Sequence, residues 1–267
     1  MRVGYGKNVQ QREGVGMLAA ARKELLLDRL RRDGRIEAKQ LAAELGISPD
    51  SIRRDLRELD AAGLAVRVYG GALPASPAVV AYGARDALSP QSKHRVAAAA
   101  VTLIRPGSTV ILDGGTTTRA VVDALPKTLP CTVITHSPTI AAALLEHEAE
   151  VFMLGGRLFK HSAVTCGAAA AEAASRISAD LFLLGVTGVH ATAGLTTADA
   201  DEAAMKRALA GRAAETYVLA SAEKVGAASR YAVLPLEEVS GVVTDVDAGD
   251  HTIAELVRQG IEVVFAA

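Results

Sequence analysis

The run Val110-Ile111-Leu112-Asp113-Gly114-Gly115-Thr116-Thr117-Thr118 concentrates groups able to hold an anion. Glycines let backbone N–H groups turn toward a ligand, a helix N-terminus adds partial positive charge, and threonine hydroxyls supply further donors. No Gly-Lys-Ser/Thr follows, so this is not a Walker loop, and no third glycine falls where a dinucleotide fingerprint needs one. A tight strand-to-helix turn with a good cap would use the same residues, and that reading stays open beside the first. Two further loops follow strand-like runs. In Leu154-Gly155-Gly156-Arg157 the guanidinium suits a phosphate or carboxylate. In Ala220-Ser221-Ala222-Glu223-Lys224 the amine offers a point charge. Loops at the carboxyl ends of strands in an open parallel sheet share one crevice, so the three are expected to converge.

A second constellation lies near the N-terminus. Residues 48–62 carry Ser48 as N-cap, Pro49 at N1 and Asp50 at N2, where the helix dipole favours an acid. At ~100° per residue, Ile52, Leu56 and Leu59 form one inward face. The opposite face carries Asp50, Arg54 and Arg57, flanked by Ser51 and Arg53. Ser51, Arg53 and Arg54 sit near the N-terminal end, where base edges can be reached. An arginine can fork onto guanine or clamp a phosphate, and a serine hydroxyl can do either. Arg67, on the strand that follows Gly63, is a further phosphate candidate. Lys39, Ser48 and Arg57 complete the set of candidate DNA contacts. A solvated arginine face is the bland alternative.

The elements that must position these groups can be read from periodicity. Leu26, Leu27 and Leu30 mark a helix over 20–32 stopped by Gly34, and Leu41, Ala42 and Leu45 mark another over 38–45 stopped by Gly46. Two short helices meeting at Gly46-Ile47-Ser48, with a third in front, have the layout of a helix-turn-helix, and residues 64–69 add a strand as a wing. Residues 74–90, rich in Pro, Ala and Ser, read as a linker. Beyond them, strands expected at 109–112, 132–135, 150–154, 181–186, 216–220, 242–245 and 262–265 alternate with helices at 90–104, 118–124, 139–147, 168–175, 201–213 and 252–259. Such alternation means βα units around a parallel sheet covered on both faces. The expected fold class is α/β: a tail over 1–19, a winged helix-turn-helix over 20–73, the linker, and an α/β unit over 91–267. Met17 opens the helical sequence and is expected to be the biological start.

The net charge of −1 hides an asymmetry. Residues 1–73 hold 14 Lys and Arg against 10 Asp and Glu, and residues 74–267 hold 15 against 20. A basic first part suggests a polyanionic partner. No apolar run approaches ~18 residues, so no membrane span is expected, and the first residues lack the apolar core of a secretory signal. Cys131 and Cys166 make neither a disulfide framework nor a metal quartet and are expected as buried thiols in the cytoplasm. The histidines have no metal spacing, and no metal or cofactor is expected.

These residues also resemble a known family. Leu45-Gly46-Ile47-Ser48, Ser51-Ile52-Arg53-Arg54-Asp55-Leu56 and Gly70-Gly71-Ala72 resemble the DeoR family of bacterial transcription regulators, with Ser51 where threonine is usual and Tyr69 where histidine is usual. Its sensor domain is similar in Asp113-Gly114-Gly115-Thr116-Thr117, Thr135-His136-Ser137, Leu154-Gly155-Gly156, Ala179-Asp180, Lys206-Arg207 and Thr244-Asp245. His136 stands where asparagine is usual, and Ser221 replaces the acid of the family's D-x-S-K segment, which here ends at Lys224. The resemblance implies a sensor fold like that of ribose-5-phosphate isomerase and a phosphorylated sugar or related metabolite as effector. On that basis Asp113, an acceptor only, is expected to face a sugar hydroxyl or the loop backbone. His136 is expected either to meet the ligand or to be a capped loop histidine.

The leading expectation is a repressor that binds operator DNA as a homodimer or homotetramer and is released by such an effector. The alternative is a sugar-phosphate isomerase or transferase fused to a DNA-binding part, with Asp113 or Glu223 as general base.

Overall fold

The computed structural model describes residues 18–267. The expectations for residues 1–17, including the start at Met17, lie outside the described residues.

The N-terminal unit packs α1 (Ala19–Asp33), α2 (Ala38–Leu45) and α3 (Pro49–Ala61) around Leu26, Leu30, Leu41, Ile52, Leu56 and Leu59. Ser48 caps α3 by accepting from the Ser51 N–H, with Pro49 at the first helical position. A three-stranded sheet of β1 (Ile36–Glu37), β2 (Ala65–Val68) and β3 (Gly71–Pro74), in the order β1-β3-β2, forms the wing. The sequence reading found only β2, an edge of this sheet: β1 is two residues long, and β3 begins inside the glycine pair taken as a stop. A side chain at Gly71 would collide with the Ile36 carbonyl, so the close approach of β1 and β3 requires glycine there.

Residues 74–90 are not featureless. A 3₁₀ turn (Pro77–Val79) and α4 (Tyr82–Arg85) lie against the C-terminal unit. That unit opens with α5 (Pro90–Val101), β4 (Thr109–Leu112), α6 (Thr116–Ala124), β5 (Thr132–Thr135), α7 (Pro138–Ala143) and β6 (Glu150–Met153). It continues through β7 (Arg157–Phe159), β8 (Val164–Cys166), α8 (Ala168–Ala174), β9 (Ala179–Gly185), β10 (Gly188–His190) and β11 (Gly194–Thr197). It closes with α9 (Ala200–Ala210), β12 (Ala213–Ala220), β13 (Tyr231–Ala232), β14 (Gly241–Thr244), α10 (His251–Arg258) and β15 (Val263–Phe265).

Among the described residues, seven strands form a parallel sheet in the order β15-β14-β12-β9-β4-β5-β6. Alternate residues feed two cores: Val110, Leu112, Leu181 and Leu183 on one face, Ile111, Phe182 and Leu184 on the other. The chain runs outward from β4 to β6, then returns to β9 and runs the other way, so a topological switch point lies between β4 and β9.

The two units touch directly. His190 donates from Nε2 to the Gly34 carbonyl at 3.1 Å, while its Nδ1 accepts from the Thr192 N–H at 3.2 Å.

Inside the first unit, Asp55 turns inward from α3 and takes a two-pronged ion pair from Arg22 of α1. Its hydrogen bond raises the Arg22 guanidinium above its usual value. Asp55→Ala is expected to cost ~1.5–3 kcal/mol, the scale of hydrogen bonds to charged groups. Urea denaturation of the full chain measures it, and an unchanged midpoint would contradict the role of this pair in fixing α3.

Candidate functional site

Two places gather the chemistry-bearing residues. The first is a nucleic-acid face on α3 and the wing. Lys39, Arg54, Arg57 and Arg67 are exposed and form no ion pair with described residues. Arg53 is tied to Asp50 at 2.7 Å. The Ser48 and Ser51 hydroxyls lie 3.0 Å apart, and Ser48 caps α3 by accepting from the Ser51 N–H. Tyr69 stands fully exposed at the tip of the β2–β3 turn. Lys39, Arg53 and Tyr69 line a groove of about 730 Å³, whose far wall includes Thr192 and Ala193 of the C-terminal unit. Tyr69 was not among the expected contacts; only the position of a turn between two short strands reveals it.

The second place is the switch point. Asp113, at the end of β4, is fully buried. Its Oδ1 accepts from the Gly114 N–H and from His136 Nε2, both at 2.8 Å. Its Oδ2 accepts from the Gly185 N–H at 2.9 Å and from Lys206 Nζ at 2.5 Å. Burial pushes the carboxyl up, but Lys206 and His136 outweigh it and hold the group well below the usual carboxylate range. Lys206 is likewise lowered by burial and raised more by Asp113 and by Glu202, 3.3 Å away. Four donors fill the four acceptor positions of a carboxylate. Asp113 therefore meets the loop backbone, Lys206 and His136, and the expected sugar hydroxyl finds no free lone pair there.

Around this hub lies a small cavity with about 20 Å³ of free space. Residues 114–118 form one wall, residues 185–187 a second, Glu202 and Lys206 a third, and Glu223 and Lys224 a fourth. Ala78 and Arg85, from the segment read as a linker, complete it. A side chain at Gly114 would run into Val164, so this glycine serves packing. Gly115 has φ +126°, which favours glycine, and opens onto free space. It stands at the N-cap of α6 with no side-chain cap. Thr116, Thr117 and Thr118 are all buried. The Thr118 hydroxyl has no partner among the described residues, nor does Glu223 Oε2, and both residues line the cavity. Lys224 donates from Nζ to Thr117 Oγ1 at 2.8 Å. Neither Lys224 nor Arg85 forms an ion pair among the described residues.

Three expectations need correction. Arg157 does not join the cavity: it is exposed on β7 and pairs with Asp201 at 3.2 Å. Gly155 and Gly156 lie in the exposed loop before it, where a side chain at Gly156 would meet Cys166 and Ala170. The reason is strand order, since β6 is the sheet edge, two strands from β4. His136 does not line the cavity either; it is buried behind Asp113, with Nδ1 on the Thr165 carbonyl at 2.8 Å. Arg85, Lys206, Glu202, Glu223 and Thr187 line the cavity and were not in the expected set. Lys206 was legible only as part of a Lys-Arg pair, and nothing local distinguished Arg85.

Both cysteines are buried, and burial pushes the Cys166 thiol up to about 12. Among the described residues no His, Cys, Asp and Glu group is placed to hold a metal ion, and no helix is long and apolar enough to cross a membrane.

With this geometry described, comparison with known proteins gives two family matches. Residues 22–77 match the DeoR-like helix-turn-helix domain, and residues 89–246 match the DeoR C-terminal sensor domain. The chain is 34% identical to the HTH-type transcriptional regulator GlpR of Haloferax volcanii, over 93% of this chain and 98% of that one. It is 33% identical to a putative aga operon transcriptional repressor of Escherichia coli O157:H7, over 91% and 93%. It is 31% identical to the HTH-type transcriptional repressor GlcR of Bacillus subtilis, over 90% and 93%. Among solved structures, ribose 5-phosphate isomerase A of Methanocaldococcus jannaschii aligns with TM-score 0.39 and 18% identity, over 51% of this chain and 55% of that one.

Burial, only partly opposed by Glu223, lowers the Lys224 amine to about 8. An unfolded lysine titrates near ~10.4. Between those values the unfolded chain binds the extra proton, so this group makes stability rise with pH across that window. Below it, the folded chain bears the full cost of a buried charge without an ion-pair partner. Lys224→Met is therefore expected to stabilise the unliganded protein by on the order of 1–3 kcal/mol at pH 7. The gain should shrink toward pH 10. Thermal melts of both proteins across this range measure it, and a gain independent of pH would contradict the assignment.

Proposed function

The chain belongs to the DeoR family of transcription regulators, and on that premise we propose that it represses a carbohydrate operon until a phosphorylated sugar or related metabolite releases it. The observation that carries this reading is a cavity with two buried or partly buried cations that lack carboxylate partners, Lys224 and Arg85, beside the uncapped start of α6. The orphaned Thr118 hydroxyl supports an anion as occupant, because buried polar groups rarely go without partners. Glu223 Oε2, equally orphaned, supports a ligand hydroxyl as its donor. Lys224, Thr116, Thr117, Thr118 and the backbone at Gly115 would meet the phosphate. Gly114 and Asp113 would shape the loop from behind.

The names of the relatives support repression of sugar-related genes. One is a putative repressor of the aga operon, and another is the glycerol-3-phosphate regulon repressor of Escherichia coli, 28% identical over 82% of this chain. These relatives are named as regulators and repressors, not as enzymes. The geometry also removes Asp113 as an isomerase base, since it has no lone pair left to receive a substrate proton.

In this reading residues 20–73 bind operator DNA, 74–90 connect, and 91–267 sense the effector in the cytoplasm. Arg54, Arg53 and Ser51 reach the major groove, with Lys39, Ser48, Arg57 and Arg67 around them and Tyr69 at the wing tip. Operators usually present paired half-sites, which favours a homodimer or homotetramer. The exposed Phe152 and Met153 of edge strand β6, with Leu158 nearby, suit such an interface in the sensor unit.

Arg54→Ala should weaken operator binding by ~1–3 kcal/mol per half-site without changing stability. Fluorescence anisotropy at fixed salt tests it, and equal affinity would remove Arg54 from the interface. For the effector, thermal shift and DNA release are measured with glucose 6-phosphate, fructose 6-phosphate, ribose 5-phosphate, glycerol 3-phosphate and their unphosphorylated parents. Only phosphorylated compounds should act, and Lys224→Met should lose their effect. Release by a parent compound that survives Lys224→Met would overturn the phosphate reading.

A further inference from the structure

The segment between the wing and α5 is anchored to the C-terminal unit at two places. Ser76, buried, donates from Oγ to the Thr187 carbonyl at 2.6 Å and from its N–H to the Ala228 carbonyl at 3.0 Å. The Ala228 N–H returns to the Pro74 carbonyl at 2.9 Å. At the second anchor Arg85 donates from Nη2 to the His161 carbonyl at 3.1 Å and to Ser162 Oγ at 3.0 Å, and from Nε to the Val80 carbonyl at 2.8 Å. His161 donates from Nε2 to the Val79 carbonyl at 2.9 Å, and Lys93 donates to the carbonyl of Arg85 itself.

Between these anchors, Ala78 and Arg85 wall the cavity. The free space of about 20 Å³ admits about one water. A sugar phosphate is far larger than this space and fits only if a wall moves. The sheet ends and α6 are fixed by strand ladders and the Asp113 hub, whereas this segment is held by the hydrogen bonds just named and by one from the Tyr82 N–H to the His161 carbonyl at 2.8 Å. The side-chain acceptors of Arg85 are all neutral. A guanidinium that meets an anion instead gains stronger, charge-assisted bonds. Arg85 therefore has a reason to change partners when the cavity fills. Next to its partner Ser162, Ala163 holds φ +54°, a conformation an alanine adopts at a cost. At its other end the segment runs without interruption into β3, the central strand of the wing.

We propose that the segment over residues 75–85 walls the effector site through Ala78 and Arg85, that Arg85 is the anion ligand it contributes, and that its change of partners on binding is what the DNA-binding unit senses through β3. This rests on the phosphate reading given above.

The test compares wild type, Arg85→Ala and Ser76→Ala in full-length protein. Inorganic phosphate and glucose 6-phosphate are the probes, and the DNA is a duplex selected from a randomised pool by the wild-type protein. Ligand affinity comes from calorimetry, and coupling is the ratio of DNA dissociation constants with and without saturating ligand. Wild type should show a ratio of at least ~5. Arg85→Ala should bind the probes about 10–100-fold more weakly and give a ratio near 1 even at saturation. Ser76 touches no ligand in this scheme, so Ser76→Ala should keep ligand affinity within about threefold or tighten it, while its ratio falls. Hydrogen exchange in wild type should change across residues 75–86 when ligand is added. If wild type binds neither probe, the phosphate reading fails and this proposal falls with it. If wild type responds and both variants keep its affinity and its ratio, the phosphate reading stands and this proposal is overturned. Unaltered exchange across residues 75–86 would overturn it equally, whatever the folding of the variants.

Discussion

One buried carboxylate organises the C-terminal unit. Asp113 ends β4, and the groups that satisfy it come from the end of β9, from α9 and from the loop after β5. A carboxylate with no solvent must be fully hydrogen-bonded or it protonates, so its four donors are required together. Because they come from distant parts of the chain, meeting that requirement fixes the relative positions of β4, β5, β9 and α9. The loop that follows Asp113 inherits this rigidity: its first N–H is committed to the carboxylate, and the next residue, Gly115, begins α6 with its backbone exposed to the cavity.

The hub also decides which cations are spoken for. Lys206 is the most deeply buried lysine near the cavity, yet it balances Asp113 and Glu202. Lys224 and Arg85 form no ion pair and hydrogen-bond only to hydroxyls and carbonyls. A buried charge without a counter-ion weakens the unliganded fold and strengthens any complex that supplies the missing charge. Local instability of this kind is common at binding sites. The depressed Lys224 amine and the two orphaned oxygens, Thr118 Oγ1 and Glu223 Oε2, express one condition: the cavity walls are chemically incomplete without an occupant.

What was legible in the sequence follows from how local each feature is. The cap at Ser48, Pro49 and the inward face of α3 are decided within a few residues, and the structure has them as read. Strands β4 and β5 match the expected residues because their runs are short, rich in β-branched residues and flanked by breakers, which together favour a buried strand over a helix. The short strands β7, β8, β10, β11 and β13 carried no such signal, since at two to four residues each they are too short to show an apolar run or an alternation. The partnership of Asp113 with Lys206 spans 93 residues of sequence, so nothing near Asp113 announced it. Arg157 misled for a geometric reason: a glycine pair after a strand marks a loop at the carboxyl end, but not whether its strand lies at the switch point or at the edge.

Coupling between the two sites must obey reciprocity: an effector that weakens DNA binding is itself bound less tightly by the DNA-bound form. The effector must therefore distinguish two arrangements of something that both units share. The covalent segment over residues 75–85 is one shared element, and the His190–Gly34 contact is another. They differ in how they could respond. His190 reaches the backbone at the end of α1 from β10, outside the cavity lining, and has no direct view of an anion. Arg85 lines the cavity itself, and its chain enters the wing through β3. An anion that changes the partners of Arg85 acts on the connecting chain directly, without first distorting the Asp113 hub. That leaves the hub free to remain rigid in both states, which a sheet built around a buried ionised carboxylate requires.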